Sequence, residues 1–265
     1  MQLVEFKNQK GEVLRGLLDL NKNKTRGVVL IHGFERTSVE MKYKNLRDAL
    51  EGKVNIWRFD FSGCGLSQGK FKDITVEKMT GELEKAIKIF RNKAPQLKEI
   101  VLVGHSLAGC VILNFLLRNK KLVSRVVLLG PALNQQELLK YYFVRTKMWK
   151  QKVNIGWNNY EQYFNPEEYA RDLQIKKRMR KNHWLSNKYF LENQNRDYQS
   201  FFQSISLPPE NFLIIHGDTD DKVPVLSNDN LPKGLKSIKV LKGDHDLEVP
   251  DMVSQYLNKT IKFIL

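Results

Sequence analysis

The chain has 265 residues, with 44 Lys and Arg against 29 Asp and Glu, for a formal net charge of +15. At 42% hydrophobic and 28% charged it has the composition of a soluble folded protein and is too apolar to be disordered. No apolar run approaches the ~18 residues of a membrane span, and the alternating, charged start MQLVEFKNQKGE is no export signal. No stable membrane insertion and a cytoplasmic location are therefore expected.

In chain order, Leu3 to Phe6 and Val13 to Leu20, joined at Lys10-Gly11, predict an antiparallel hairpin at a sheet edge. Short continuous apolar runs follow at Gly27–His32, Val54–Asp60, Ile100–Gly104, Val126–Gly130 and Phe212–His216. Runs of this length, rich in Val, Ile and Leu, read as strands buried on both faces of a parallel sheet. Helical periodicity lies between and after them: Val76 onward, capped by Thr75 and stopped before Pro95; Leu107 to about Asn119; and Pro250 to Leu265. The alternation predicts an α/β fold, a mostly parallel central sheet flanked by helices.

The rhythm breaks after Pro131. Residues 134–205 hold no strand of the buried kind, yet carry 15 of the 27 Phe, Trp and Tyr residues. They read as an aromatic-rich cap inserted into a single core formed by residues 1–133 and 206–265, because the βα rhythm resumes at Phe212. Within the cap, Asn165-Pro166-Glu167-Glu168 is a helix start, with a capping side chain, Pro in the first turn and acids near the positive helix end. The basic run Lys176 to Lys181 is expected on a helix as a solvated face. The charge excess sits in 1–133 (+11) and the cap (+6), while 206–265 carries −2. No nucleic-acid fold signature accompanies it, so no nucleic acid is expected as partner.

Val101-Leu-Val-Gly104-His105-Ser106-Leu107-Ala108 runs from a buried strand directly into a helix. A serine on such a tight turn needs small residues two before and two after it, and Gly104 and Ala108 meet that need. A hydroxyl is a poor nucleophile until a base takes its proton, and the base needs an orienting carboxylate. Of five histidines, His245 in Gly243-Asp-His245 follows both Ser106 and the candidate acids, whereas His216 precedes every acid. His245 is therefore the expected base. Asp218, Asp220 and Asp221 compete as the acid, and spacing alone does not choose among them. Asp244 and Asp246, flanking His245, are expected to favour its protonated form.

Taken together, Leu30-Ile-His32-Gly33-Phe34, Asp60-Phe-Ser-Gly63-Cys-Gly65, Gly104-His-Ser106, His216-Gly-Asp-Thr-Asp220-Asp-Lys-Val223-Pro224 and Gly243-Asp-His245 resemble the α/β-hydrolase superfamily. The resemblance is to serine hydrolases of its cinnamoyl/feruloyl esterase-like and monoacylglycerol-lipase-like groups, and runs from residue 30 to 245. It implies the α/β-hydrolase fold, no cofactor, and Asp220 as the acid with Asp218 as fallback. It also implies an oxyanion hole from the backbone N–H groups of Phe34 and Leu107. The loop at Asp60 is read as structural, braced by that carboxylate. Cys64 and Cys110 are expected as packed small residues, and no metal-ligand spacing is present.

The expected activity is cleavage of small to medium acyl or aryl carboxylic esters, a small-molecule ester being the partner. Thioesterase, monoacylglycerol lipase and serine peptidase chemistry are the alternatives on the same residues, and a non-catalytic membrane-associated binder is the alternative of another class. Trp149, Trp157, Tyr160, Tyr163 and Phe164 are the candidate substrate-binding aromatics of the cap; the competing reading makes them its own small core. A homodimer is compatible with the sequence, which does not set the oligomeric state.

Overall fold

A computed structural model describes residues 1–119, 122–149, 151–175, 177–180 and 183–265. The hairpin forms at the edge as expected: β1 (Gln2–Lys7) pairs antiparallel with β2 (Val13–Asp19). Its strands alternate, so Val4, Phe6, Leu14 and Leu18 are buried while their neighbours face outward. Next come β3 (Arg26–Ile31), α1 (Met41–Leu50), β4 (Asn55–Phe59), α2 (Val76–Lys93), β5 (Glu99–His105), α3 (Ala108–Arg118) and β6 (Val123–Leu129). After residue 205 the chain returns with β9 (Phe212–Gly217), β10 (Lys236–Val240) and α7 (Pro250–Ile264).

The eight strands of the main sheet lie in the order β1-β2-β4-β3-β5-β6-β9-β10. Pairing is antiparallel at β1/β2 and β2/β4 and parallel from β4 to β10. Both faces of the parallel part are covered, which is why its strands read as unbroken apolar runs. Val29, Ile31, Ile100, Leu102, Val126 and Leu128 pack with α2 and α3 on one face. Val28, Leu30, Val101, Val103, Val127 and Leu129 pack with α1 and α7 on the other. The fold is the α/β-hydrolase fold.

Sequence and structure part company at helix α1 and at the basic run, among others. Helix α1 had no recognisable start: Glu40 makes no side-chain cap, and only Tyr43, Leu46 and Leu50 give it a thin apolar stripe. The basic run expected on a helix contains strand β7 (Lys177–Arg180), paired antiparallel with β8 (His183–Leu185); Lys176 and Lys181 lie outside the described residues. With Met179 its one apolar residue, that run offers a helix no face to bury, and a hairpin satisfies its backbone instead.

Between β6 and β9, which are neighbours in the sheet, the chain forms α4 (Gln135–Trp149), α5 (Pro166–Leu173), the β7/β8 hairpin and α6 (Asn187–Asn193). Asn165 caps α5 through its side chain, accepting from the Glu168 N–H at 3.0 Å. The two ends of this segment meet, since Asn134 bridges Asp197 and the Tyr198 N–H donates to the Leu133 carbonyl at 2.9 Å. The Glu192 carboxylate of α6 accepts from the Val76 and Glu77 N–H groups at 2.7 and 2.8 Å, closing the open N-terminus of α2. Thr75 caps the same end, accepting from Lys78 N–H at 3.1 Å. Thr75→Ala is expected to cost about 1 kcal/mol, read as a lower urea midpoint at unchanged slope.

Candidate active site

The parallel strands deliver their C-terminal loops to one edge of the sheet, and the predicted residues gather there. Ser106 lies between the end of β5 and the start of α3 with φ at +56°, a left-handed conformation that a serine adopts only under strain. The sharp reversal demands small neighbours. A Cβ on Gly104 would come within 2.5 Å of Ile112 Cδ1 and 3.1 Å of Ala108 Cβ, so strand and helix touch at that point. The loop after β3 lies against the same turn: a Cβ on Gly33 would sit 3.0 Å from Ser106 Cβ. The next residue, Phe34, lines the same cavity as Ser106 and Leu107. The Leu107 N–H stands at the N-terminal end of α3, where a helix leaves its first donors without intrahelical partners.

Ser106 Oγ is 3.0 Å from His245 Nε2, and His245 Nδ1 is 2.7 Å from Asp220 Oδ2. A carboxylate only accepts, so Nδ1 carries the proton and Nε2 is free to accept from the serine hydroxyl. All three residues are buried. The loops carrying them come together tightly, since any Cβ on Gly217 would lie 2.2 Å from the Gly243 carbonyl oxygen.

Asp220 is held on every side. Oδ1 accepts from the N–H groups of Lys222 and Val223 at 3.0 and 2.8 Å, and Oδ2 also lies 3.3 Å from His216 Nε2. Burial pushes its carboxyl pKa up, but hydrogen bonds from His216 and His245, electrostatic attraction to the His245 ring and the Val223 N–H outweigh it and bring the value to about 2. The carboxylate is therefore ionised wherever the protein is folded near neutral pH.

Two histidines fall in roles that chain order did not suggest. His216, set aside because it precedes the acids, donates from Nε2 to the Val223 carbonyl at 2.8 Å and thereby closes the Asp220 loop. His105 donates from Nε2 to the His245 carbonyl at 2.8 Å, holding the backbone of that residue. Burial, with the nearby His245 and Lys42, pushes the His105 pKa far down, so it stays neutral. His32 binds the Gly33 carbonyl through Nδ1 at 2.8 Å and accepts from the Phe61 N–H at Nε2, tying the loops after β3 and β4 together. Asp60 braces the second loop as expected, accepting from the Ser38 and Leu66 N–H groups at 2.6 and 2.9 Å.

A cavity of about 820 Å³ opens over Ser106 and His245. Its walls include Leu138, Leu139, Tyr142 and Phe143 from α4, Tyr169 and Leu173 from α5, and Tyr189 and Phe190 from α6. Residues 22–244 match the profile of the family described as serine aminopeptidase, S33. The chain belongs to the S33 serine aminopeptidase family.

Solved structures share the fold. Est1E from Butyrivibrio proteoclasticus, determined with ferulic acid bound, superposes with a TM-score of 0.75 at 22% identity, covering 98% of each chain. An esterase from Pyrococcus furiosus gives a TM-score of 0.70 at 18% identity, covering 99% of this chain and 90% of the other. Pyrrolizixenacetamide deacetylase from Xenorhabdus hominickii is 30% identical over 112 residues. That stretch spans 42% of this chain and 40% of the deacetylase.

Within this S33 member the five candidate aromatics are not among the residues that line the cavity. Trp149 is 77% exposed at the end of α4 and Tyr163 is also exposed. Trp157 and Tyr160 pack on Tyr141, with ring centroids 5.4 and 5.7 Å away, in a small core with Val144, Met148 and Ile155. Phe164 backs Phe143 and Tyr169 from behind. The reason is the two-sidedness of α4, which turns Leu138, Leu139, Tyr142 and Phe143 to the cavity and Tyr141, Val144 and Met148 to the loop at 155–164. Sequence alone does not say which face meets the site.

Cys64 and Cys110 are packed thiols. Burial pushes Cys64 up to about 12, and Cys110 Sγ lies 3.0 Å from the Ala132 carbonyl oxygen. The flanking acids do not turn to the His245 ring: Asp244 Oδ1 accepts from the Asp246 and Leu247 N–H groups, and Asp246 pairs with Arg36 and Lys222. Asp221 is an exposed partner of Arg145, while one oxygen of Asp218 is buried without a hydrogen bond.

Because the folded pKa of Asp220 lies below its unfolded value, its ionisation stabilises the fold above about pH 4 and that contribution fades as pH falls through about 2. The parent protein should lose about 2 kcal/mol relative to Asp220→Asn over that interval, measured by urea unfolding at pH 2 to 6.

Proposed function

We propose that the chain is a serine hydrolase that cleaves carboxylic esters through an acyl-enzyme. The observation that carries this reading is the relay from Asp220 through His245 to a strained, cavity-facing Ser106, with separations of 2.7 and 3.0 Å. Ser106 Oγ attacks the acyl carbonyl while His245 Nε2 takes its proton. Asp220 holds the imidazole in the tautomer that leaves Nε2 open and stabilises the imidazolium that forms. The N–H groups of Phe34 and Leu107 receive the developing oxyanion, each worth about 3 kcal/mol of transition-state stabilisation in comparable sites. His245 then returns the proton to the leaving oxygen, and water repeats the sequence on the acyl-enzyme.

Residues 134–205 act as a cap inserted into the core of 1–133 and 206–265. They supply most of the apolar wall, through Leu138, Leu139, Phe143, Tyr169, Leu173 and Tyr189. That lining supports small to medium acyl or aryl esters, as does the ferulic acid bound by the structural relative Est1E. Amide cleavage is the second reading, favoured by the deacetylase relative and by the name of the family.

A fluorophosphonate probe should label the parent protein at Ser106 and leave Ser106→Ala unlabelled, as read by peptide mass spectrometry. Absence of label on the folded parent would sink the hydrolase reading. Ser106→Ala and His245→Ala are each expected to lower kcat on a p-nitrophenyl ester by about 10³-fold or more at similar KM. A matched ester and anilide pair separates ester from amide preference.

A further inference from the structure

The three loops that carry the proposed machinery share one side chain that touches none of the reacting atoms. Asp246 Oδ1 pairs with Arg36 Nη2, and Asp246 Oδ2 lies 3.0 Å from Lys222 Nζ. Each of these residues is one or two positions from a group with a role in the reaction: Asp246 follows His245, Arg36 comes two after Phe34, and Lys222 comes two after Asp220. Lys222 is linked a second time, since its backbone N–H donates to Asp220 Oδ1 at 3.0 Å. The outer ring continues the pattern. Arg36 Nη1 lies 3.3 Å from Glu40, and Lys42, fully buried, lies 3.0 Å from Glu40 and 2.8 Å from Glu248.

We propose that Asp246 is a positioning residue, an ionic clasp that keeps the Phe34, Asp220 and His245 loops in register for catalysis. This rests on the hydrolase reading above. No hydrogen bond joins its carboxylate to the His245 ring; the clasp works by fixing loop backbones. Two cations meeting one half-buried carboxylate make a geometry that neither pair holds alone. The Asp246 side chain is 27% exposed and Arg36 29%, so water screens the pairs only in part. Register matters because displacing a reacting group by about 1 Å can cost about 10²-fold in rate. The clasp also accounts for an acid directly after the base whose carboxylate turns away from it.

The test is kinetic. Asp246→Asn keeps the shape and removes the charge, and it is expected to lower kcat on a p-nitrophenyl ester by about tenfold with KM within about twofold. Arg36→Gln and Lys222→Gln, at partly exposed positions on the cavity lining, should each lower kcat severalfold with KM within about twofold. They also keep the question open to measurement if Asp246→Asn fails to fold. The Arg36→Gln/Asp246→Asn double variant should be no slower than Asp246→Asn by more than about twofold, because both break the same link. A kcat within twofold of the parent in folded Asp246→Asn overturns the clasp, as do fully multiplicative losses in the double variant. So does a lowered Tm with unchanged kcat, which is the signature of a merely structural residue. A parent that neither hydrolyses esters nor takes the fluorophosphonate label overturns the hydrolase reading instead.

Discussion

The site depends on one constraint, the left-handed turn at Ser106 that joins the most central part of the sheet to α3. A serine held at positive φ is costly, and what surrounds it keeps it there. Gly104 and Ala108 let the strand and helix approach, the Ser106 N–H is taken by the Leu129 carbonyl at 2.9 Å, and its carbonyl accepts from the Gly109 and Ala132 N–H groups. Released from that turn, the hydroxyl would lose its line to His245 Nε2. The rest of the fold serves to hold the turn and to bring other loops against it.

The parallel sheet makes this arrangement economical. β3, β5, β9 and β10 all end at the same edge, so loops far apart in the chain, from Ile31 to Val240, arrive beside one another. What the sheet does not align, buried histidines and ion pairs do. His32, His105 and His216 each donate to a backbone carbonyl beside the site. They are imidazoles used as struts, and in His105 desolvation keeps the ring neutral for that purpose. Asp220 is treated in the opposite way, surrounded by donors so that its charge survives burial.

The segment between β6 and β9 is built on another principle. Among its described residues it has no strand in the main sheet, and it folds aromatic residues into one small core of its own and one wall facing the cavity. It is tied to the body by hydrogen bonds: Glu192 on the α2 N-terminus, the Tyr142 hydroxyl on the Lys222 carbonyl, and Arg145 on Asp221. Two of these three ties land on the loop that carries Asp220. The wall and the Asp220 loop are thus joined by hydrogen bonds.

The sequence by itself determined the sheet, because strands buried on both faces must be continuous apolar runs. It also narrowed the candidate site to Ser106, His245 and the carboxylates of one loop, because a strand-to-helix turn needs small flanking residues and the loops follow in a set order. Asp220 needed the family resemblance as well, since three carboxylates share its loop. Tertiary structure decided which face of α4 meets the cavity, and set the five aromatics that composition suggested apart from its lining. It made a strand of Lys177–Arg180, gave His216 and His105 their strut roles, and turned Asp246 from the His245 ring toward Arg36 and Lys222. These outcomes depend on neighbours far away in the chain. Periodicity reports that a residue is buried or exposed, while the partner it meets is settled only when the loops are packed together.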